Sequence, residues 1–206
     1  DGLTGLANRR RFDEQIEREF KRAARSGQPV SLVVIDLDHF KAYNDHFGHL
    51  GGDECLRTTA RAIQAFTRRS GDLAARIGGE EFAILLPGSD AAAAMAIAEE
   101  VRMAVHRLAL PHSPVVGGMV TLSAGVATAM PARDSQSIHA LIELADAALY
   151  AGKVQGRNVV IVAGAGREHD KLDDARDDVG PVTASWPGSL QHVATCAVLP
   201  TGDMSA

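Results

Sequence analysis

The 206-residue chain contains only two cysteines, Cys55 and Cys196. That excludes a disulfide framework of the kind small secreted scaffolds depend on, and both residues read as free thiols. No apolar run is long enough to cross a bilayer, and residues 1–25 are too charged for a secretory signal. These absences point to a cytoplasmic chain with no membrane segment. Basic charge is also scarce, with 21 Lys and Arg against 26 Asp and Glu and a net charge of -5. Residues 165–206 alone hold three Lys/Arg against seven Asp/Glu, which leaves the rest nearly neutral. There is therefore no electrostatic footprint for a long nucleic-acid backbone, although a small phosphorylated ligand stays open. No internal repeat is present.

What is present is ordinary soluble globular composition, 46% hydrophobic and 23% charged, which argues against a disordered or fibrous chain. A globule of this length buries roughly 70% of the surface its unfolded chain exposes, enough for one proper core. The chain opens at Asp1 on what reads as a domain's first turn. From this we expect an upstream sensor or regulatory domain outside it.

Phe12, Ile16, Phe20 and Ala24 recur at helical spacing behind the N-cap Asn8, so a helix is expected over 9–26, stopped by Gly27 and Pro29. Residues 30–36 are almost continuously apolar and β-branched, the pattern of a strand buried on both faces. Helical patterning resumes over 40–47 and again over 52–69. Two short strands, 73–77 and 82–86, flank a tight turn at Gly78, Gly79, Glu80 and Glu81. A helix capped by Asp90 is expected to run to about Leu110, then a strand over 119–128, a helix over 137–152 and a strand over 158–162. This order indicates an α/β, or α+β, sandwich: a central mixed, mostly antiparallel sheet with flanking helices and one β-hairpin. The domain is expected over 1–163. Residues 164–206, acidic and rich in Gly, Ala and Pro, read as a disordered tail in which Trp186 and the 193–199 stretch offer weak docking points.

Two constellations carry chemistry. The first is Asp36-Leu37-Asp38 followed by Phe40, Lys41 and Asn44, where a buried strand runs into a helix. A hard cation such as Mg²⁺ takes one or two carboxylates together with substrate phosphates, which makes Asp36 a natural ligand. Taken alone, the plainer reading of the same aspartates is a strand stop and a helix cap. The second constellation is the hairpin turn, where glycines admit ligand atoms close to the backbone and a carboxylate can hold metal or accept a proton. A solvated turn is the plainer reading of that segment by itself.

Gly78-Gly79-Glu80-Glu81-Phe82 resembles the signature of GGDEF domains in its GGEEF form. Other stretches agree in order: residues 1–10, residues 36–53, residues 121–127, and residues 148–158. The resemblance spans 1–162 and implies a palm-like, nucleotide-cyclase-like fold with diguanylate cyclase activity. It implies that Asp36, Glu80 and the carbonyl of Leu37 hold two Mg²⁺ (or Mn²⁺) ions per half-site. Glu80 would also take the proton from the attacking hydroxyl. Asn44 and Asp53 would read guanine, whose N1–H and N2 amino group suit a carboxylate. Phe40, His49, Gly78 and Gly79 would shape the nucleotide pocket, and Lys41, Lys153 and Arg157 would hold phosphate oxygens, Lys41 counting with Glu80 as catalytic. Lys153 and Arg157 also read simply as favourable charges at a helix C-terminus.

The resemblance further implies GTP as substrate, cyclic di-GMP as product, and a homodimer that brings two half-sites together. Arg69 and Asp72 resemble the family's RxxD inhibitory site, with Arg102 assisting; by spacing alone they complement a helix end and start a turn. Two rivals remain. One is a catalytically silent receptor for GTP or cyclic di-GMP, against which stands the presence of Asp36, Lys41, Asn44, Asp53, Glu80, Lys153 and Arg157. The other is a cyclase for another nucleotide, against which stands Asp53.

Overall fold

The computed structural model describes residues 1–131 and 137–164; the expected tail, with Trp186, the 193–199 stretch and Cys196, lies outside the described residues. Among the described residues no helix is long and apolar enough to cross a membrane.

Helix α1 (Arg9–Ser26) begins where the Asn8 side chain accepts the Arg11 N–H and ends at Gly27 in the left-handed conformation. Strand β1 (Val30–Leu37) is buried along its whole length. Helix α2 (Phe40–Gln64) contains a break at Gly48, whose φ of 72° and ψ of 169° lie outside the range most side chains tolerate. The two helical stretches read from the sequence therefore join across that glycine. The helix stops five residues short of Arg69, because Phe66 and Thr67 turn back onto Ile63 and Gln64 with bonds three residues long.

Strands β2 (Leu73–Arg76) and β3 (Glu81–Pro87) form the expected hairpin. Helix α3 (Ala91–Arg107), capped by Asp90, ends before Leu110 because Leu108 and Ala109 bond back to Val105 and His106. Strand β4 (Leu122–Ala129) starts later than residue 119, since Met119 and Val120 pair with Pro111 and Leu110 instead. Helix α4 (Ile138–Val154) and the short strand β5 (Val160–Val162) complete the described chain.

The five strands lie in the order β2-β3-β1-β4-β5, antiparallel except for the parallel β4–β5 pair. The segment β1-α2-β2-β3-α3-β4 is thus a split βαβ arrangement extended by one strand. Alternation along β1 sorts the core into two layers. Val33, Ile35 and Leu37 pack with α2 and α3, whereas Leu32 and Val34 pack with α1 and α4. Asp36 shares the parity of Leu32 and Val34, so it falls on the α1/α4 side at the carboxyl end of the central strand.

Candidate active site

The geometry starts from β-sheet register. Asp36 on β1 is paired directly with Glu81 on β3 and with Ser123 on β4. Directly opposed residues in a sheet stand on the same face with neighbouring side chains, so Asp36 and Glu81 form a cross-strand carboxylate pair. The Leu37 N–H donates to the Glu80 carbonyl at 3.4 Å, which ties the hairpin turn to the end of β1. Three carboxylates, those of Asp36, Glu80 and Glu81, therefore collect at one end of the central strand.

Burial makes that collection costly. The Asp36 carboxyl is pushed up to about 6 by desolvation, with Glu80 and Glu81 raising it further and the Lys153 ammonium opposing. Desolvation and Glu80 likewise raise Glu81. Asp146 on α4 rises to about 7 through burial and the nearby Glu81 charge. Lys153 Nζ approaches Asp36 Oδ2 to 2.8 Å and is the one ion-pair partner of Asp36 among the described residues.

That contact exists because α4 lies almost on the backbone of β4. A Cβ added to Gly125 would overlap the Ala145 carbonyl and the Leu149 N–H and lie 3.0 Å from Leu149 Cα. Only glycine admits the helix at this depth, and the last turn of the helix then delivers Lys153 to the strand end. Tyr150, Lys153, Val154 and Arg157 line an open pocket of about 450 Å³ beside it.

The hairpin is anchored from below. Arg76 donates through Nε and Nη2 to the Gly79 carbonyl at 3.0 and 2.8 Å, and through Nη1 to Asp1 Oδ1 at 3.2 Å. Asp1 in turn accepts from the Thr4 N–H and hydroxyl. The opening turn and the glycine turn are thus one hydrogen-bonded unit. Gly79 is exposed, and Gly78 lies against the Glu81 carboxylate.

Two residues past the end of β1, helix α2 starts at His39 with no side-chain cap, so the cap residue's side chain satisfies none of its first amides. Lys41 is exposed in this first turn; Phe40 is buried and stacks on Tyr43 with ring centroids 6.2 Å apart. Asn44 Oδ1 is buried without a hydrogen-bond partner. A Cβ on Gly52 would overlap this oxygen and come within 3.2 Å of Phe40 Cζ. Asp53, half-buried and next in the chain to Gly52, lies close enough to the hairpin for its charge to act on Arg76. His49 sits exposed just past the Gly48 break.

The second aspartate of the strand end behaves differently. Asp38 is 3% exposed and accepts from Thr121 Oγ1 and Ser123 Oγ at 2.7 Å and from the Asn158 N–H at 3.0 Å. Its carboxylate braces the end of β1 against the segments leading into β4 and β5; this is not the helix-cap role read for the aspartates, since α2 starts at His39 with no side-chain cap.

Arg69 and Asp72 sit together at the opposite end of the sheet. The Arg69 N–H donates to Asp72 Oδ2 at 3.0 Å, and Arg69 Nη1 reaches Ser89 Oγ at 3.2 Å. Arg102 does not join them. It ion-pairs with Glu99 and donates through Nη1 to Asn158 Oδ1 at 2.6 Å, beside Asp38 at the carboxyl end of β1. By contrast Asp72 leads into Leu73, which is level with Leu85 and hence with Leu32 near the start of β1.

Glu81 and Asp146 escaped the sequence reasoning as site members. Glu81 was visible there only as the second of two glutamates, and strand register gives it its position. Asp146 carried no signal beyond its place on the same helix as Lys153.

The donors at the strand end are all oxygen: carboxylates and the Leu37 carbonyl. Among the described residues no group of three His, Cys, Asp or Glu side chains is placed so that it could hold a metal ion by itself. An open, oxygen-only set of few carboxylates fits a magnesium-type cation that completes its shell with phosphate and water. The raised Asp36, compensated only by an ammonium, fits a site for additional positive charge.

A sequence profile of the family described as diguanylate cyclase, GGDEF domain, matches residues 1–159. The chain is 40% identical over 162 residues to the response regulator PleD of Caulobacter vibrioides, covering 78% of this chain and 35% of that protein. It is also 40% identical over 163 residues to the diguanylate cyclase VdcA of Vibrio cholerae, covering 78% of this chain and 46% of that one. The chain therefore spans less than half the length of these curated relatives. The crystal structure of the GGDEF domain of DgcB from Caulobacter crescentus, in complex with c-di-GMP, superposes with a TM-score of 0.73 at 40% identity. That match covers 80% of this chain and 93% of the other.

Proposed function

The chain belongs to the diguanylate cyclase GGDEF-domain family, and on that footing we propose that it condenses two GTP molecules into cyclic di-GMP with release of two pyrophosphates. The observation that carries this reading is the junction of Asp36, Glu80 and Glu81 at one strand end, with Lys153 against Asp36 and an uncapped helix start two residues past the strand. The c-di-GMP held by the similar domain of DgcB supports the product.

Each half-site binds one GTP. Asn44 and Asp53 take the guanine edge, the unpartnered Asn44 oxygen facing a donor and the Asp53 carboxylate accepting from N1–H and N2. Phe40 and His49 border the base, and Gly78 and Gly79 let the triphosphate lie close to the hairpin backbone. Lys41, Lys153, Arg157 and the first amides of α2 bind phosphate oxygens, positioning the α-phosphorus for in-line attack. Asp36, Glu80 and the Leu37 carbonyl would hold two Mg²⁺ or Mn²⁺ ions, which when bound neutralise the triphosphate and acidify the attacking hydroxyl. Glu80 accepts the proton of the 3′-hydroxyl as its oxygen forms the new bond to the α-phosphorus and pyrophosphate departs. Repetition from the second nucleotide closes the ring. Because one domain holds one GTP, turnover takes place across a homodimer, and a regulatory domain controls that pairing. Arg69 and Asp72 bind accumulated cyclic di-GMP and restrain it.

The test is product identification after incubation with GTP and Mg²⁺. Cyclic di-GMP and two equivalents of pyrophosphate are expected, and Glu80→Ala is expected to reduce turnover by at least about 10³-fold, the scale of losing proton acceptance and metal binding together. GTP binding without pyrophosphate release at high protein concentration would overturn the enzyme reading.

A further inference from the structure

Between α4 and β5 the chain passes through three successive residues with positive φ: Gly156 at 114°, Arg157 at 67° and Asn158 at 48°. Two of these are not glycine, and left-handed backbone at such residues persists only where surrounding contacts over-determine it. The contacts are identifiable. The Arg157 N–H donates to the Gly152 carbonyl at 3.1 Å, and the Asn158 N–H donates to Asp38 Oδ2 at 3.0 Å. Asn158 Oδ1 accepts from Arg102 Nη1 at 2.6 Å, while Glu99 holds the other side of the same guanidinium. Arg102 is only 15% exposed at its side chain and reaches the turn from α3, on the far face of the sheet from α4.

We propose that Arg102 is a positioning residue for the phosphate-binding Arg157: its hydrogen bond to Asn158 holds the strained turn in the one conformation that aims Arg157 into the pocket beside Lys153. The inference rests on the phosphate role given above to Arg157. It gives Arg102 a different task from the product-inhibition site suggested by the family resemblance, since Arg102 lies by Asp38 and not by Arg69 and Asp72. The physical logic is that a side chain on a short turn samples many directions, and each lost anchor lets the αL residues relax toward ordinary backbone. Asp38 fixes the backbone N–H of Asn158, and Arg102 fixes its side chain. Both anchors also sit next to the carboxylate end of β1, so the phosphate arm and the acidic strand end keep a constant separation.

The experiment measures binding of two probes with Mg²⁺ by calorimetry: the α,β-methylene analogue of GTP, which cannot be cleaved at the α-phosphorus, and GMP, which lacks the outer phosphates. Arg102→Ala is expected to weaken the analogue about tenfold, as for one displaced charge-assisted hydrogen bond, and to leave GMP within about twofold. Arg157→Ala is expected to cost the same for the analogue. Adding Arg102→Ala to Arg157→Ala is then expected to cost nothing more, because a residue acting through another has no effect once that other is gone. Asn158→Gly, which tolerates the left-handed backbone but removes the acceptor oxygen, gives a second route should Arg102→Ala fold poorly. It is expected to weaken the analogue and not GMP. Equal losses for analogue and GMP, or additive losses in the double variant, would overturn the proposal. If Arg157→Ala weakens the analogue and neither Arg102→Ala nor Asn158→Gly does, the positioning role alone fails. If Arg157→Ala has no effect, the phosphate role of Arg157 fails and the positioning role falls with it.

Discussion

Asp36 and Asp146 carry raised pKa values for the same reason, burial beside other carboxylates. Desolvation is the largest cause for both, and it brings Asp36 to about 6 and Asp146 to about 7. A carboxyl whose pKa is raised on folding keeps its proton in the native state at pH values where the unfolded chain has released it. Native stability therefore falls as pH climbs from about 4 through about 7, where Asp146 is still only half ionised, and levels off above about pH 8. In chemical denaturation without divalent cations, the protein is expected to be less stable at pH 7.5 than at pH 5 on account of these groups. Asp146→Asn is expected to flatten the upper part of that slope, and Mg²⁺ is expected to restore stability mainly above pH 6, where Asp36 is charged. A Mg²⁺ effect as large at pH 4.5 as at pH 7.5 would remove Asp36 from the cation site. Gly52 bears on specificity at the same scale. The overlap of an added methyl with the Asn44 oxygen is relieved by turning the amide away, while Phe40, whose Cζ lies 3.2 Å from that methyl, has to yield slightly. Alanine also favours helix over glycine by about 1 kcal/mol. With that gain set against the tight Phe40 contact, Gly52→Ala is expected to change the melting temperature little while lowering GTP affinity about tenfold or more; unchanged affinity would show that Asn44 does not meet the base.

Elements differ in how much of them could be read in advance, and the difference follows from the range of the interactions that set them. Helix α1 was legible from Asn8 to Gly27 because caps and periodicity are local. The same holds for the Asp90 cap of α3 and for the hydrophobic run of β1. The late start of β4 was not legible, since it depends on Met119 pairing with Pro111, a bridge that periodicity does not record. Nor was the late start of β5, which the left-handed Arg157 and Asn158 delay. At the site, the two constellations were visible as residue types, but the partnership of Asp36 with Glu81 required strand register. The separation of Arg102 from Arg69 required knowing that α3 carries Arg102 towards the carboxyl end of β1. The hidden determinant of the site is the contact between α4 and β4. Gly125→Ala inserts a methyl into main-chain atoms of Ala145 and Leu149, which no rotamer change can relieve. Overpacking of this kind costs about 1–3 kcal/mol or more. The variant is expected to melt several degrees lower and, even where folded, to lose GTP binding because Lys153 no longer reaches Asp36. A variant that binds GTP normally would show that the helix position is not what sets the phosphate contacts.

For the whole molecule the consequence is stoichiometric. On the function proposed above, one domain supplies one nucleotide, and the second nucleotide has to arrive on another copy facing it. Below the dissociation constant of that pair, the dimer concentration grows as the square of protein concentration, so the rate per protein rises in proportion to concentration and saturates once pairing is complete. Fusing a parallel two-stranded coiled coil to the amino terminus raises the effective concentration of one domain for the other to about millimolar. The fused protein is expected to show a constant rate per protein across dilutions at which the unfused protein's rate falls away. It is also expected to reach, at nanomolar concentration, the rate the unfused protein attains only at its plateau. Steady-state pyrophosphate release over a hundredfold range of protein concentration separates the cases. A rate per protein that stays constant for the unfused, demonstrably monomeric chain would mean that both nucleotides are handled by a single domain.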